Sequence, residues 1–400
     1  MDKILDALKQ RYPQFHLPEK FIVFAREQVS NGHVLRRAET GERMLGFLRR
    51  NHVEDAAIQK LLTPESKLRL KFDFNALMNL GTDDLYAYLL DHLGFVMDLQ
   101  QIALDSETPT GFNAHGKLHV STVTLNALKL LRQRDPIPST DKKDRELVIG
   151  GLLHDMGNLI GRKLHGLFGI YIASQILENY DSDPQVFEHF LGVMEVIVFH
   201  EVEFASMQTG FAHLGSSTLA LIIADKTDVS FERVSLKSNV PEAVQDLHVL
   251  MNLLVANSVI WRDTGKGVFG WRVDFRAKYS QDHLEFFSSL LKRTGRVRYP
   301  EAWTELYEEA NIEYLFLFQS SLLNTYLSRM YVAMSAVFAL FPSVTEFHLV
   351  VDDAERGISI TRVFTRHLFR QQIATLGKFF GRDAWPSSYL YHALHQEGAV

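Results

Sequence analysis

The stretch GGLLHDMGNLIGRKLHG, residues 150–166, joins an apolar run to several polar and charged side chains. The apolar run, residues 148–153, stops at His154 and Asp155, two adjacent groups that are costly to bury without partners. Gly157 follows within two residues, and at a helix end such a glycine lets the chain turn so that both side chains converge. We therefore interpret the stretch as a helix that ends at a buried polar site.

Around this stretch the chain has the composition of a globular protein, with 400 residues, 46% of them apolar and 22% charged. That length predicts two or three domains, because single hydrophobic cores rarely grow larger. The net charge of −6 and the absence of a strongly basic region argue against general nucleic-acid binding. The chain has no cysteine, which excludes disulfide scaffolds, thiolate metal sites and cysteine nucleophiles.

The most apolar segments predict neither a signal peptide nor a membrane span. Residues 1–15 are charged, are broken by Pro13 and lack the apolar core of a signal peptide. The most apolar run, residues 330–342, is too short to cross a bilayer and ends at Pro342, so it predicts a buried helix. We expect a cytoplasmic protein without a membrane partner.

Helical patterns dominate the chain and predict a mainly α fold with a central helical bundle. Residues 1–105 form a mainly helical N-terminal region, in which residues 67–74 are also compatible with a short strand. Five helical patterns fall within residues 106–238, the predicted metal-binding helical domain. Residues 239–400 are predicted to be an α+β region, with the strands after about residue 265.

The C-terminal region mixes strand and helix patterns. Two β-rich runs around a turn-forming DDAERG segment predict a hairpin over residues 346–364. Strand-like residues at 267–280, a helical pattern at 281–293 and a closing helix at 366–381 complete the region.

Histidine and aspartate recur at the ends or inner faces of successive predicted helices. His119 and His165 stand at helix starts, and His200 ends an apolar run. Asp225 has the most apolar surroundings in sequence of any carboxylate in the chain. Imidazole and carboxylate are ligands for Zn, Mn and Fe, and one aspartate can bridge two ions through its two oxygens. The residues alone leave open whether they hold a metal or form a hydrogen-bonded core cluster.

In this order the residues resemble the HD superfamily of metal-dependent phosphohydrolases. The stretch from His154 onward is similar to the family's HDxG motif, which is followed by a histidine at a helix start, here His165, and a glycine one turn later, here Gly169. HVSTVTLNA resembles the family's first helix, and IIADKTDVSFERV resembles its last, with Asp225 in the ligand position. The resemblance extends over residues 110–235.

The resemblance implies a helical HD-type bundle and a two-metal site, with a one-metal site as the alternative. The expected cofactors are divalent Mn, Fe, Co, Ni or Zn, with Mg as a further candidate. Carried over residue by residue, the ligands of one metal are His119, His154, Asp155 and Asp225, and those of the second are His165 and His200, with Asp155 bridging.

The implied reaction is hydrolysis of a small phosphate ester, for which a nucleotide is one candidate substrate, by a metal-activated water. Three cations close in sequence to the ligands, Arg162, Lys163 and Lys226, are expected to hold phosphate charge, with a solvated surface role as the alternative for each. A homo-oligomer is left open by the sequence.

The chain departs from the subfamily that cleaves cyclic di-GMP. That subfamily usually carries a lysine after HDxG, where this chain has Asn158, and it carries His-His-Glu and Gly-Tyr-Pro motifs that FHEVEFASMQTGF lacks. Cyclic di-GMP hydrolysis of that type is therefore not expected, although His213 is a candidate extra site residue. Two alternative functions remain: an HD-type di-iron oxygenase and a non-catalytic HD sensor.

Overall fold

The chain forms two compact units, Met1–Asp225 and Lys226–Val400. In the computed structural model the first is helical and the second contains a small sheet, which confirms the mainly helical class with strands in the C-terminal region. The structure describes residues 2–13, 22–23, 71–107, 115–134, 140–161, 164–201, 211–233, 252, 255–275, 327–354, 357–367 and 369.

The helices of the first unit include all five that the sequence predicts between residues 106 and 238. Two short strands, β1 (Phe72–Asp73) and β2 (Leu177–Glu178), pair in parallel. The helices are α1 (Asp2–Arg11), α2 (Phe74–Met78), α3 (Thr82–Glu107), α4 (Lys117–Arg132), α5 (Asp141–Leu153), α6 (His165–Ile176), α7 (Pro184–Phe199) and α8 (Ser216–Thr227), whose last two residues fall in the second unit.

Local capping explains where the central helices begin. The side chain of Thr140 accepts a hydrogen bond from the Lys143 N–H at the start of α5, 3.3 Å away. Asp183 does the same for two amides of α7, and Pro184 occupies the first helical position, where its missing N–H costs nothing.

Helix α5 lies at the centre of the bundle, packed against α3, α4 and α7. Two adjacent glycines allow this close approach: a Cβ on Gly150 would lie 2.7 Å from Val196 of α7, and one on Gly151 would lie 2.8 Å from Thr124 of α4. Because α5 is surrounded in this way, the residues at its C-terminal end are directed into the interior of the unit.

Residue 105, the predicted end of the N-terminal region, lies within α3, and the helices before and after it belong to one unit. Helix α3 packs along α4 and α5, and α1 contacts α7. The predicted short strand at residues 67–74 is present as β1, limited to two residues. The three-region division with boundaries at residues 105 and 238 stays a prediction.

A buried carboxylate, Glu195 of α7, links three segments of the first unit. Its oxygens accept hydrogen bonds from the Tyr12 hydroxyl, from the Gly215 N–H at 2.5 Å and from the Thr218 hydroxyl at 2.8 Å. Burial raises the pKa of Glu195, although these donors oppose the shift. The end of α1 and the start of α8 are thus both held to α7 by one side chain.

The second unit contains a four-stranded sheet of order β3-β4-β5-β6. The outer pairs are antiparallel, and β4 runs parallel to β5 with Phe269 opposite Phe347. Its elements are β3 (Val255–Asp263), β4 (Val268–Phe275), α9 (Leu327–Leu340), β5 (Glu346–Asp353) and β6 (Ile358–Thr365).

One face of this sheet is buried by alternate side chains, as the period of a strand requires. Trp271 and Val273 of β4 are buried, whereas Arg272 between them is exposed. Phe269 stacks on Phe341, which follows α9. The apolar run at residues 330–342 is therefore a buried helix, as predicted.

The predicted hairpin at 346–364 is confirmed as β5 and β6, but strand β3 was not predicted. Its Val259 and Trp261 are apolar but exposed. The sequence of β3 therefore lacks the alternation of apolar and polar residues that indicates a strand with one buried face. The sheet consequently begins at Val255, before the expected residue 265. The predicted helix at 281–293 and most of the one at 366–381 lie outside the described residues.

Among the described helices, none combines the length and the hydropathy that a membrane crossing requires.

Replacing Glu195 by alanine should lower the free energy of unfolding by about 3 kcal/mol, because Tyr12, Gly215 and Thr218 lose a buried acceptor. Chemical denaturation measures the change. Glu188→Ala is the matched control, since Glu188 lies on the same helix but is 56% exposed and pairs with Arg11 at the surface. The control should leave stability nearly unchanged. Equal losses in both variants would contradict the assignment.

Candidate metal centre

The six predicted ligands lie at helix ends or on inward faces of the first unit. His119 is in the first turn of α4, His154 and His200 directly follow α5 and α7, and His165 is the first residue of α6. Asp155 follows His154, and Asp225 lies near the end of α8. All six side chains are buried.

Asp155 lies between two pairs of histidines, with one carboxylate oxygen toward each pair. Its Oδ2 is 3.6 Å from Nε2 of His119 and 3.4 Å from Nε2 of His154. Its Oδ1 is 3.5 Å from Nε2 of His165 and 3.7 Å from Nε2 of His200. Two groups of donors result, which share Asp155: the first group is His119, His154 and Asp155, and the second group is Asp155, His165 and His200.

Asp225 belongs to neither group of mutually close donors, but its Oδ1 lies 3.5 Å from Nε2 of His119 in the first group. The structure therefore brings the whole predicted ligand set together.

Backbone carbonyls orient two of the imidazoles. Nδ1 of His154 lies 2.6 Å from the carbonyl oxygen of Gly151, and Nδ1 of His200 lies 2.6 Å from that of Ile197. These carbonyls belong to the last turns of α5 and α7, where oxygens lack helical partners. Because a carbonyl only accepts, each Nδ1 must carry a hydrogen. A neutral ring then presents the lone pair of Nε2 to Asp155.

The second group contains a close contact between two nitrogens. Nε2 of His165 lies 2.9 Å from Nε2 of His200, and Nδ1 of His165 lies 3.1 Å from Oε1 of Glu201. With both Nδ1 atoms occupied as donors, two neutral rings would direct lone pairs at each other. Either a shared proton or a cation removes this repulsion. At metal–nitrogen distances of about 2.1 Å, two adjacent ligands of one ion are separated by about 3 Å.

The first group holds two buried polar atoms without hydrogen-bond partners, His154 Nε2 and Asp155 Oδ2. Both are acceptors when His154 is neutral, so they cannot satisfy each other across 3.4 Å. A cation would satisfy both. With two buried carboxylates and neutral imidazoles, the donor set carries the charge and atom types that divalent transition metals prefer. The residues present therefore fit a metal ion.

The pKa directions at the centre follow from burial and from the contacts between Asp155 and the imidazoles around it. Burial opposes ionisation of Asp155, yet the imidazoles of His154 and His115 help to hold its pKa well below the usual range. Burial also favours neutral His154, but the Asp155 carboxylate raises the His154 pKa overall. Burial lowers the pKa of His200 to about 4, which keeps that ring neutral and able to bind a metal at neutral pH.

The backbone between the two groups is tightly constrained. A Cβ on Gly157 would lie 1.8 Å from the carbonyl oxygen of His165, so only glycine allows the turn after Asp155 to pass the start of α6. Leu164, immediately before His165, adopts a left-handed conformation with φ of 62°. Such a conformation is unfavourable for leucine and recurs where surrounding structure imposes it at functional sites.

The structure gives no position for two of the three proposed phosphate-binding cations. Arg162 and Lys163 lie outside the described residues. Lys226 follows Asp225 in α8 and is partly exposed. His213 lies in the turn Phe211–His213, is exposed and belongs to neither group of donors found among the described residues.

Three residues that were not predicted to belong to the site contact the candidate ligands. Asn158 donates to Asp155 Oδ1 at 3.1 Å, Glu201 lies against His165, and the ring of His115 packs edge-on to that of His119 with centroids 5.5 Å apart. Two were detectable in the sequence as polar neighbours: Glu201 directly follows His200, and His115 precedes His119 by four residues.

Substituting Gly157 by alanine should lower the free energy of unfolding by about 3 kcal/mol, because backbone atoms of His165 leave no room for a methyl group. Gly161→Ala is the control, since its Cβ would meet only Phe168, at 3.7 Å. Thermal or chemical denaturation of both variants tests the difference. A Gly157→Ala protein as stable as the control would show that the two segments are not packed as described.

Comparisons with known proteins assign no activity to this centre. No family model matches the sequence, and no solved structure matches it. An uncharacterized protein of Methanocaldococcus jannaschii is 30% identical over 135 residues, which cover 30% of this chain and 49% of the relative. The chain thus matches about half the length of that relative. The assignment of the centre consequently depends on its own geometry: buried histidine and aspartate side chains that fit a metal ion.

Proposed function

We propose that the protein is a metal-dependent phosphohydrolase of the HD type, which acts on a small phosphate ester such as a nucleotide. The observation that carries the proposal is the position of Asp155, whose two oxygens face two different histidine pairs. A carboxylate in this position has the geometry of a bridge between two cations. The order of the ligands along the chain also matches the HD pattern.

The two groups would hold two ions. His119, His154 and Asp225 would bind the first, and His165 and His200 the second, with Asp155 shared. The ligands of the first ion include two carboxylates, whereas the second has only the shared one. The two sites should therefore differ in affinity, with the first ion held more tightly because of its greater ligand charge.

When bound, a pair of divalent ions supplies an activated water and neutralises the charge on phosphate oxygens. The protein's own residues prepare for this chemistry. Asn158 fixes the Asp155 carboxylate, and the carbonyls of Gly151 and Ile197 fix two imidazole rings. The buried surroundings of Asp155 exclude bulk water, which strengthens every electrostatic interaction at the centre.

Cationic side chains near the ligands in sequence favour phosphate chemistry over oxygen chemistry. Lys226 directly follows Asp225, and Arg162 and Lys163 precede His165 by two or three residues. Phosphoryl transfer gains from cations that hold the remaining phosphate charge, whereas insertion of oxygen into a carbon compound has no such need.

Metal analysis gives the first test of the proposal. Protein purified without chelators should contain close to two transition-metal ions per chain, as measured by plasma mass spectrometry. Asp155→Ala should lose both ions, because both groups share its carboxylate. His165→Ala should lose mainly the second. A metal-free protein that is folded and active would exclude the proposal.

The reaction itself is tested with generic aryl phosphates and phosphodiesters in the presence of Mn²⁺ or Co²⁺, in air and under nitrogen. Hydrolysis should be equal in both atmospheres. Lys226→Ala should lower kcat/KM by about tenfold and retain the metals, since lysine is not a ligand. Lys266→Ala is the control, because Lys266 is exposed, and it should change neither kcat/KM nor the metal content.

Two results would redirect the assignment. Turnover that disappears under nitrogen would identify an HD-type di-iron oxygenase. Tight binding of a nucleotide without turnover of any phosphate ester would identify a sensor.

A further inference from the structure

Glu201 is a buried carboxylate that the ligand set does not use. It directly follows His200 and is 5% exposed. Its two oxygens divide between two partners at the start of α6: Oε1 lies 3.1 Å from Nδ1 of His165, and Oε2 accepts a hydrogen bond from the Gly166 N–H at 2.7 Å.

Its location places Glu201 behind the His165 ring rather than among the metal ligands. Nδ1 and Nε2 are on different sides of an imidazole, and Nε2 of His165 already faces Asp155 and His200. Glu201 belongs to neither group of donor atoms that lie close together in the described residues. Its carboxylate therefore acts on the centre through His165.

His165 needs such a partner because of its place in a helix. His154 and His200 each follow a helix and use the carbonyl three residues earlier in its last turn. His165 is the first residue of α6, so no preceding turn of that helix offers a carbonyl. A carboxylate from another segment takes this role, and a charged acceptor makes the ring a stronger metal ligand than a neutral one does.

The second oxygen of Glu201 holds the helix that carries the ring. The first amides of a helix have no helical acceptor, and Leu164 at the N-cap makes no side-chain capping bond. Glu201 accepts from one of these amides, that of Gly166, and a Cβ on Gly166 would approach its Oε2 to 2.9 Å. One carboxylate thus fixes both the orientation of His165 and the position of its backbone.

We infer that Glu201 is a positioning residue that holds His165 ready to bind the second metal ion. This inference rests on the proposed two-metal centre. It assigns to Glu201 the control of the second ion, because its carboxylate contacts His165, a member of the second group.

The test is a Co²⁺ titration of the metal-stripped full-length protein, followed by calorimetry and visible absorption. Glu201→Gln keeps the size of the side chain but replaces one acceptor oxygen by a donor and removes the charge. It should retain the first ion and bind the second 10–100-fold more weakly. Glu195→Gln is the matched control: it alters another buried carboxylate of the same unit that contacts no ligand, and should leave both affinities unchanged.

A second measurement separates positioning from a purely structural role. Nitrogen-15 spectra of the metal-free protein should show His165 protonated at Nδ1 in the wild type and mixed between its tautomers in Glu201→Gln. Loss of stability with unchanged tautomer and unchanged second-ion affinity would reduce Glu201 to a helix cap and overturn the inference.

The remaining outcomes are also decisive. A wild-type protein that binds two ions, with a Glu201→Gln variant that binds both equally well, overturns the inference and leaves the metal centre standing. A wild-type protein that takes up no second ion overturns both. If Glu201→Gln does not fold, Glu201→Asp carries the same test, with wild-type affinity for the second ion as the contradicting result.

Discussion

The buried carboxylate of Asp155 is the constraint on which the first unit depends. It is enclosed by four imidazoles, and two of them donate from Nδ1 to a backbone carbonyl, so that each presents a lone pair at Nε2 when its ring is neutral. A negative group that faces acceptors is costly in a protein interior. The surrounding helices nevertheless hold it there, and a cation bound beside the carboxylate would offset that cost.

Helix ends supply the geometry of this centre. The carbonyls in the last turns of α5 and α7 would lack partners inside the bundle, and His154 and His200 donate to them. The same contacts direct Nε2 of each ring toward Asp155. At the opposite type of helix end, the start of α6, amides lack partners and Glu201 accepts from one of them. The same hydrogen bonds therefore satisfy polar backbone groups at the helix ends and orient the side chains of the candidate ligands.

A comparison with Glu195 shows why burial alone does not indicate a metal. Both carboxylates lie inside the first unit, but both oxygens of Glu195 accept hydrogen bonds from the protein, from three donors in all. Asp155 receives a hydrogen bond from Asn158 on one oxygen, while its Oδ2 has no hydrogen-bond partner. A structural carboxylate such as Glu195 is therefore faced by hydrogen-bond donors on both oxygens. A candidate metal ligand such as Asp155 has an oxygen that no such donor satisfies.

The sequence by itself determined the five central helices and the six candidate ligands, because apolar periodicity, caps and helix ends are local properties. It also predicted the hairpin of β5 and β6, whose strands are separated by only four residues in the sequence. The resemblance already implied that Asp155 is shared; only the tertiary structure decided which of its oxygens faces which histidine pair, and that Glu201 lies behind His165. Such contacts join residues 35 positions apart, as between His165 and His200. No local pattern encodes them, since they depend on how α6 and α7 pack.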